Sequence, residues 1–182
     1  MLQSVDTKEV RERLLHDRVA VVDGVLGDAC CAKLRDALRQ LDQSRQLQPG
    51  RVTHGANSTV DATARGDRMC FIKPDDLEPD GLSGHVAAYV EQAERLMERM
   101  SAIDRAEGGE LFDAFGNAPD GVSVMCAIYP GSGARYVKHR DALPYKAGRK
   151  ITMIYYCNEP GWAPECGGEL QLWPREGEPP VR

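Results

Sequence analysis

The sequence predicts an α+β protein of one domain spanning residues 1–182, helix-rich over 1–121 and strand-rich over 122–182. Two observations carry this. Apolar residues recur at helical spacing early in the chain, as in Leu34, Leu38 and Leu41. Later the apolar runs are short, rich in β-branched and aromatic residues, and separated by Gly/Pro turns.

The elements follow in order. Asp6-Thr7-Lys8-Glu9 is a capping-box variant opening a helix through Val10, Leu14 and Leu15. Val19-Ala20-Val21-Val22 reads as a buried strand, because both of its faces are apolar. A second helix is expected over 28–43. Residues 44–65 are polar and read as a long loop, and Met69-Cys70-Phe71-Ile72 as a short strand. The acidic stretch Asp75–Asp80 reads as a solvated turn. Ser83 is expected to cap the longest helix, with Val86, Val90, Met97, Met100 and Ile103 on one stripe and Gly108-Gly109 ending it. Strands are then expected at Val122–Tyr129, Ile151–Cys157 and Glu169–Trp173.

Composition narrows the function classes. With 23 Lys+Arg against 28 Asp+Glu the net charge is −5, which gives no basic face for nucleic acid. No apolar run approaches the roughly 18 residues of a membrane span, and the first ten residues carry Asp6 and Glu9 where a secretory signal would be basic and then apolar. The expectation is a soluble protein of the cytoplasm or nucleus, without nucleic-acid or membrane partners. The six cysteines form no C-x-x-C pair, so inert, mostly buried thiols are expected rather than a zinc or redox site.

Chemistry points to His139, the one histidine of four that has a carboxylate two residues later, Asp141. In an extended segment residues i and i+2 share a face, so the two side chains can occupy adjacent corners of one metal. That supplies two-thirds of a 2-His-1-carboxylate facial triad. The same pattern also suits a surface His–Asp pair. Met125, Ala127 and Tyr129 share parity in one expected strand, as do Ile154 and Tyr156 in another. If both rows face the site, apolar walls and two phenols would suit a small carboxylate ligand; ordinary sheet packing explains the same parity.

Four runs, in order, decide between these readings: Met125–Gly133 (MCAIYPGSG), Tyr136–Asp141 (YVKHRD), Ile151–Asn158 (ITMIYYCN) and Gly167–Pro174 (GGELQLWP). Together they closely resemble the Fe(II)/2-oxoglutarate-dependent prolyl 4-hydroxylases, most of all the hypoxia-inducible-factor type. Val21–Gly27 resembles the family's opening strand and turn, and Arg65-Gly66-Asp67 with Arg68–Ile72 its strand toward the substrate side. An adhesion reading of that Arg-Gly-Asp triplet is set aside, since such triplets are common by chance.

The resemblance implies N-terminal helices packed on a double-stranded β-helix, or jelly-roll, core. It implies His139 and Asp141 as iron ligands, and Tyr156 as hydrogen-bond donor to the distal carboxylate of 2-oxoglutarate. It places Tyr129 beside the metal-proximal end, with Met125, Ile154 and Leu170 as pocket wall. The implied cofactors are Fe(II), 2-oxoglutarate as cosubstrate and ascorbate; the implied partners are molecular oxygen and a prolyl-containing protein or peptide. The reaction so implied decarboxylates 2-oxoglutarate to succinate while a prolyl ring carbon gains a hydroxyl.

The family's second iron histidine and its carboxylate-pairing Arg lie beyond the region matching Gly167–Pro174, and no histidine follows His139. The expectation is therefore a jelly roll incomplete at its C-terminus, in a fragment of a longer chain. The segment Ala142–Gly148 has its own composition, so the resemblance does not carry over a hypoxia-type substrate. Beside the hydroxylase stands an alternative: a catalytically silent homologue that binds a protein or peptide. A jelly-roll metal or small-acid binder is a third reading.

Overall fold

The computed structural model describes residues 5–54, 57–72, 82–109, 124–141, 151–173, 177 and 179–181. Helix α1 spans Thr7–His16, and Asp6 accepts from the backbone N–H groups of Lys8 and Glu9. These are donors that a helix cannot satisfy within itself. Helix α2 spans Gly27–Gln43 and α3 spans Leu82–Ala106. Helix α3 starts one residue before the expected cap and ends as expected, with the Gly109 N–H on the Asp104 carbonyl at 2.7 Å and Gly108 and Gly109 at positive φ.

Strands β1 (Gln48–Pro49), β4 (Arg68–Ile72) and β5 (Val124–Ile128) form an antiparallel sheet in the order β1-β4-β5. Its central register sets Cys70 opposite Cys126. A separate hairpin pairs β2 (Val52–His54) with β3 (Asn57–Thr59). The expected long loop is thus partly strand. Its polar side chains gave no alternation to read, and its ladders are set by partners rather than by burial.

The core lies between helices and sheet. Leu26, Leu34, Val86, Val90 and Cys126 are buried together, with Cys70, Tyr89, Val124, Tyr155 and Cys157 packed against them. Burial pushes the thiols of Cys126 and Cys157 up to about 12, so both stay protonated and inert at neutral pH. Cys166, in contrast to the buried reading, is exposed. Helix α1 joins α3 through ions: buried Arg11 donates to Asp104 at 2.6 Å and to Glu107 at 2.6 Å, and the Asp104 side chain is fully buried.

Three expected strands are not ladders. Residues 19–22 are irregular, with Val21 at 71% exposure, and among the described residues no neighbouring strand receives them. Residues 151–157 and 169–173 lack strand pairing apart from one isolated bridge, Leu172 to Val181. Apolar character alone cannot supply the missing hydrogen-bonded neighbour. The solvated turn expected at 75–80 and the segment 142–148 lie outside the described residues. Among the described residues no helix is long and apolar enough to cross a membrane.

Candidate metal centre

Strand β5 has two unlike faces. Cys126 and Val124 join the core, while Met125 is 43% exposed and Tyr129, one residue past the strand, 46%. The turn after it, Pro130-Gly131-Ser132-Gly133, is closed by the Ala134 N–H on the Gly131 carbonyl at 3.0 Å. Gly131, Ser132 and Gly133 all take positive φ, which glycine adopts at little cost. The chain then returns alongside residues 64–66. The Gly66 N–H donates to the Arg135 carbonyl at 2.9 Å and the Val137 N–H to the Ala64 carbonyl at 2.9 Å. The approach is close at Gly66, where an added Cβ would meet the Ala134 Cα at 3.2 Å and press on that backbone.

Two residues beyond this tie stands His139. Its Nδ1 lies 2.8 Å from the Val137 carbonyl oxygen. A carbonyl only accepts, so Nδ1 carries the hydrogen and Nε2 is the atom turned outward. That Nε2 lies 3.1 Å from Asp141 Oδ1. The other carboxylate oxygen, Oδ2, accepts from the Thr152 hydroxyl at 2.6 Å. In the neutral imidazole a nitrogen lone pair then faces a carboxylate oxygen, an arrangement that calls for a proton or a cation between them. Two ligands on adjacent corners of an octahedral first-row dication, each at about 2.1 Å, stand about 3 Å apart. The pair therefore fits a metal, and at 37% exposure each side chain can reach one. Its outer contacts, carbonyl on imidazole and hydroxyl on carboxylate, are those that orient metal ligands. Among the described residues no cluster of three or more His, Cys, Asp or Glu side chains arranged for a metal is present.

Of the other expected site residues, Met125 and Tyr129 gather near this face. The Met125 sulfur accepts from Arg65 at 3.1 Å. Partial burial, and after it the Asp67 carboxylate, raises the Tyr129 phenol; the Tyr156 hydroxyl also acts on it. Burial raises the Tyr156 phenol as well, so both stay protonated donors at neutral pH. Tyr156 alternates with core-facing Tyr155 and Cys157, which puts Ile154 and Tyr156 on the outward side, 52% and 49% exposed. Leu170 is 40% exposed, on a segment outside the sheet. Helix α2 holds the Tyr156 segment from behind: Arg35 donates to the Asn158 carbonyl at 3.1 Å, and Arg39 pairs with Glu159.

The sequence reading assigned no chemical role to Arg65, Asp67, Tyr136 or Thr152. Arg65 is 9% exposed and Asp67 2%, and they form a bidentate pair at 2.7 and 2.9 Å. Buried against each other, they do not present an adhesion motif. The available signal was a charged pair at i, i+2 ahead of an apolar strand, which by itself suits any surface.

Residues 124–182 match the model of the 2OG-Fe(II) oxygenase superfamily. The hypoxia-inducible factor prolyl hydroxylase of Caenorhabditis elegans is 54% identical over 58 residues, 32% of this chain and 8% of that protein. Egl nine homolog 1 of Homo sapiens is 31% identical over 159 residues, 86% of this chain and 33% of that protein. The human prolyl hydroxylase EGLN3 is 28% identical over 156 residues, 84% of this chain and 58% of that protein. The chain therefore spans at most 58% of the length of these relatives. The ordered motifs agree with these matches: residues 124–182 match the 2OG-Fe(II) oxygenase superfamily, and along most of its length the chain is similar to the human prolyl hydroxylase EGLN3.

Proposed function

We propose that residues 1–182 form a single dioxygenase domain of jelly-roll type that hydroxylates a prolyl residue of a protein or peptide. The observation that carries this is the spacing of His139 Nε2 and Asp141 Oδ1, 3.1 Å apart, with the remaining atom of each group already hydrogen-bonded. In this reading His139 and Asp141 hold Fe(II), and Tyr156 donates its protonated hydroxyl to the distal carboxylate of 2-oxoglutarate. Tyr129 stands at the metal-proximal end, while Met125, Ile154 and Leu170 give apolar surface that excludes water from the reacting atoms. When bound, the iron lets oxygen be spent on two linked oxidations: 2-oxoglutarate to succinate and carbon dioxide, and a prolyl C–H to C–OH. Ascorbate belongs to the reading as the reductant that keeps iron ferrous. A silent binding module is not favoured, since the relatives are named as hydroxylases.

The test is succinate formation from 2-oxoglutarate with Fe(II), ascorbate and a prolyl peptide, comparing the whole protein that carries these residues, once shown to turn over, with its His139→Ala and Asp141→Ala variants. Turnover is expected to disappear in both variants. Equal turnover in wild type and His139→Ala would sink the assignment.

A further inference from the structure

A column of side chains stands behind the His139 imidazole. The Tyr136 ring stacks on it with centroids 3.6 Å apart and planes 21° from parallel. The Arg65 guanidinium lies 4.6 Å from the Tyr136 ring centroid. Arg65 is fixed in turn by both Asp67 oxygens, and its charged form is favoured by them. The backbone follows the same path, since Arg65 and Tyr136 are partners in an antiparallel bridge. Packing at the far end is tight: a Cβ on Gly50 would stand 2.5 Å from Arg65 Nε and 2.5 Å from Asp67 Oδ1.

We propose that Arg65, clamped by Asp67, and Tyr136 are positioning residues for His139, holding its ring so that Nε2 meets the metal beside Asp141. The proposal rests on the reading of His139 as a metal ligand. Its physical basis is rotamer restriction. The Nδ1 hydrogen bond to Val137 leaves the ring able to tilt about that contact, and a face-stacked phenol removes the tilt. A cation over an aromatic face holds the phenol in place, and the buried bidentate Asp67 holds the cation. Neither Arg65 nor Tyr136 need touch metal or substrate.

Three variants of the whole chain separate this role from a general structural one: Tyr136→Phe, Tyr136→Leu and Arg65→Lys, with His139→Ala as reference. The first readout is metal-free: the NMR signals of the His139 ring, identified by their loss in His139→Ala. An upfield ring-proton shift and an Nδ1–H tautomer are expected in wild type and Tyr136→Phe. In Tyr136→Leu the upfield shift should disappear, and in Arg65→Lys it should shrink. The second readout is Mn(II) affinity followed by electron paramagnetic resonance. Tyr136→Phe should stay near wild type, while Tyr136→Leu and Arg65→Lys should weaken roughly 10–100-fold, the usual effect of losing an outer contact of a ligand. If Tyr136→Leu and Arg65→Lys bind Mn(II) like wild type while His139→Ala does not, the positioning role is overturned and the metal site stands. If His139→Ala binds like wild type, both fall. Should Tyr136→Leu fail to fold, Arg65→Lys decides alone, and an unchanged His139 signal and affinity there overturn the role.

Discussion

The two sides of the β1-β4-β5 sheet do different work. On the helical side, Cys126 and Val124 meet Leu34, Val86 and Val90 in the apolar core. On the other side, Met125 and Tyr129 are exposed, and polar groups are fixed in pairs: Arg65 with Asp67, His139 with Asp141, Thr152 with Asp141. One side supplies cohesion, and the other, on the proposed reading, supplies chemistry. A single strand can serve both because its side chains alternate.

If that division holds, substitutions among the helices should lower stability and spare metal binding, while substitutions at the ligand pair should do the reverse. The largest loss is expected at the α1–α3 junction. Asp104→Ala leaves Arg11 buried beside the more exposed Glu107, and should cost about 3–5 kcal/mol in denaturant unfolding. Met100→Ala, at a position 1% exposed, should cost about 2–5 kcal/mol with Mn(II) affinity retained. Loss of affinity at unchanged fold would break the division. Gly50→Ala tests the boundary, because it forces Arg65 and Asp67 apart; about 1–3 kcal/mol of stability and some metal affinity should go together.

Alkaline pH gives a one-sided effect. Unfolded cysteines ionise near their ordinary value of 9.0, whereas folded Cys126 and Cys157 hold their protons to about 12. A group with a raised folded pKa stabilises fully below the unfolded value, and that stability is lost as pH rises through the folded one. Unfolding free energy should therefore fall between pH 9.0 and about 12, and Cys126→Ala should flatten the fall. A slope unchanged in that variant would mean the Cys126 thiol is open to water. Least of all should His139→Ala disturb the fold. Its side chain is 37% exposed, so a change within about 0.5 kcal/mol is expected while Mn(II) binding is lost.

What the sequence discloses follows the same division. Helices α1, α2 and α3 were legible because a stripe of period 3.6 is a local property, and α1 also through its capping Asp6. Strands β4 and β5 were legible because each is an apolar run bounded by turn residues. Val19–Val22, equally apolar, stays irregular because pairing requires a neighbour that composition does not specify. The same holds for 151–157, although the shared parity of Ile154 and Tyr156 was readable, and both are exposed. At the site, His139 and Asp141 were visible through their spacing of two. Arg65, Tyr136 and Thr152 were not: Arg65 meets Tyr136 from far along the chain, and a tyrosine three residues before a histidine or a threonine eleven after a carboxylate is no spacing that local pattern marks.

That last point bears on how the protein folds. His139 and Asp141 stand two positions apart, but their surroundings are closed by distant contacts: Arg65 reaches Met125 across 60 positions, and Arg35 reaches Asn158 across 123. Such loops cost chain entropy before they return any contact energy, so they close late. A nascent or partly folded chain would carry the His-x-Asp pair without the phenol, guanidinium and helix that keep it in shape. On the proposed reading of His139 and Asp141 as iron ligands, ferrous ion would then meet a competent pair only after these distant contacts had formed, so metal uptake would report completed folding.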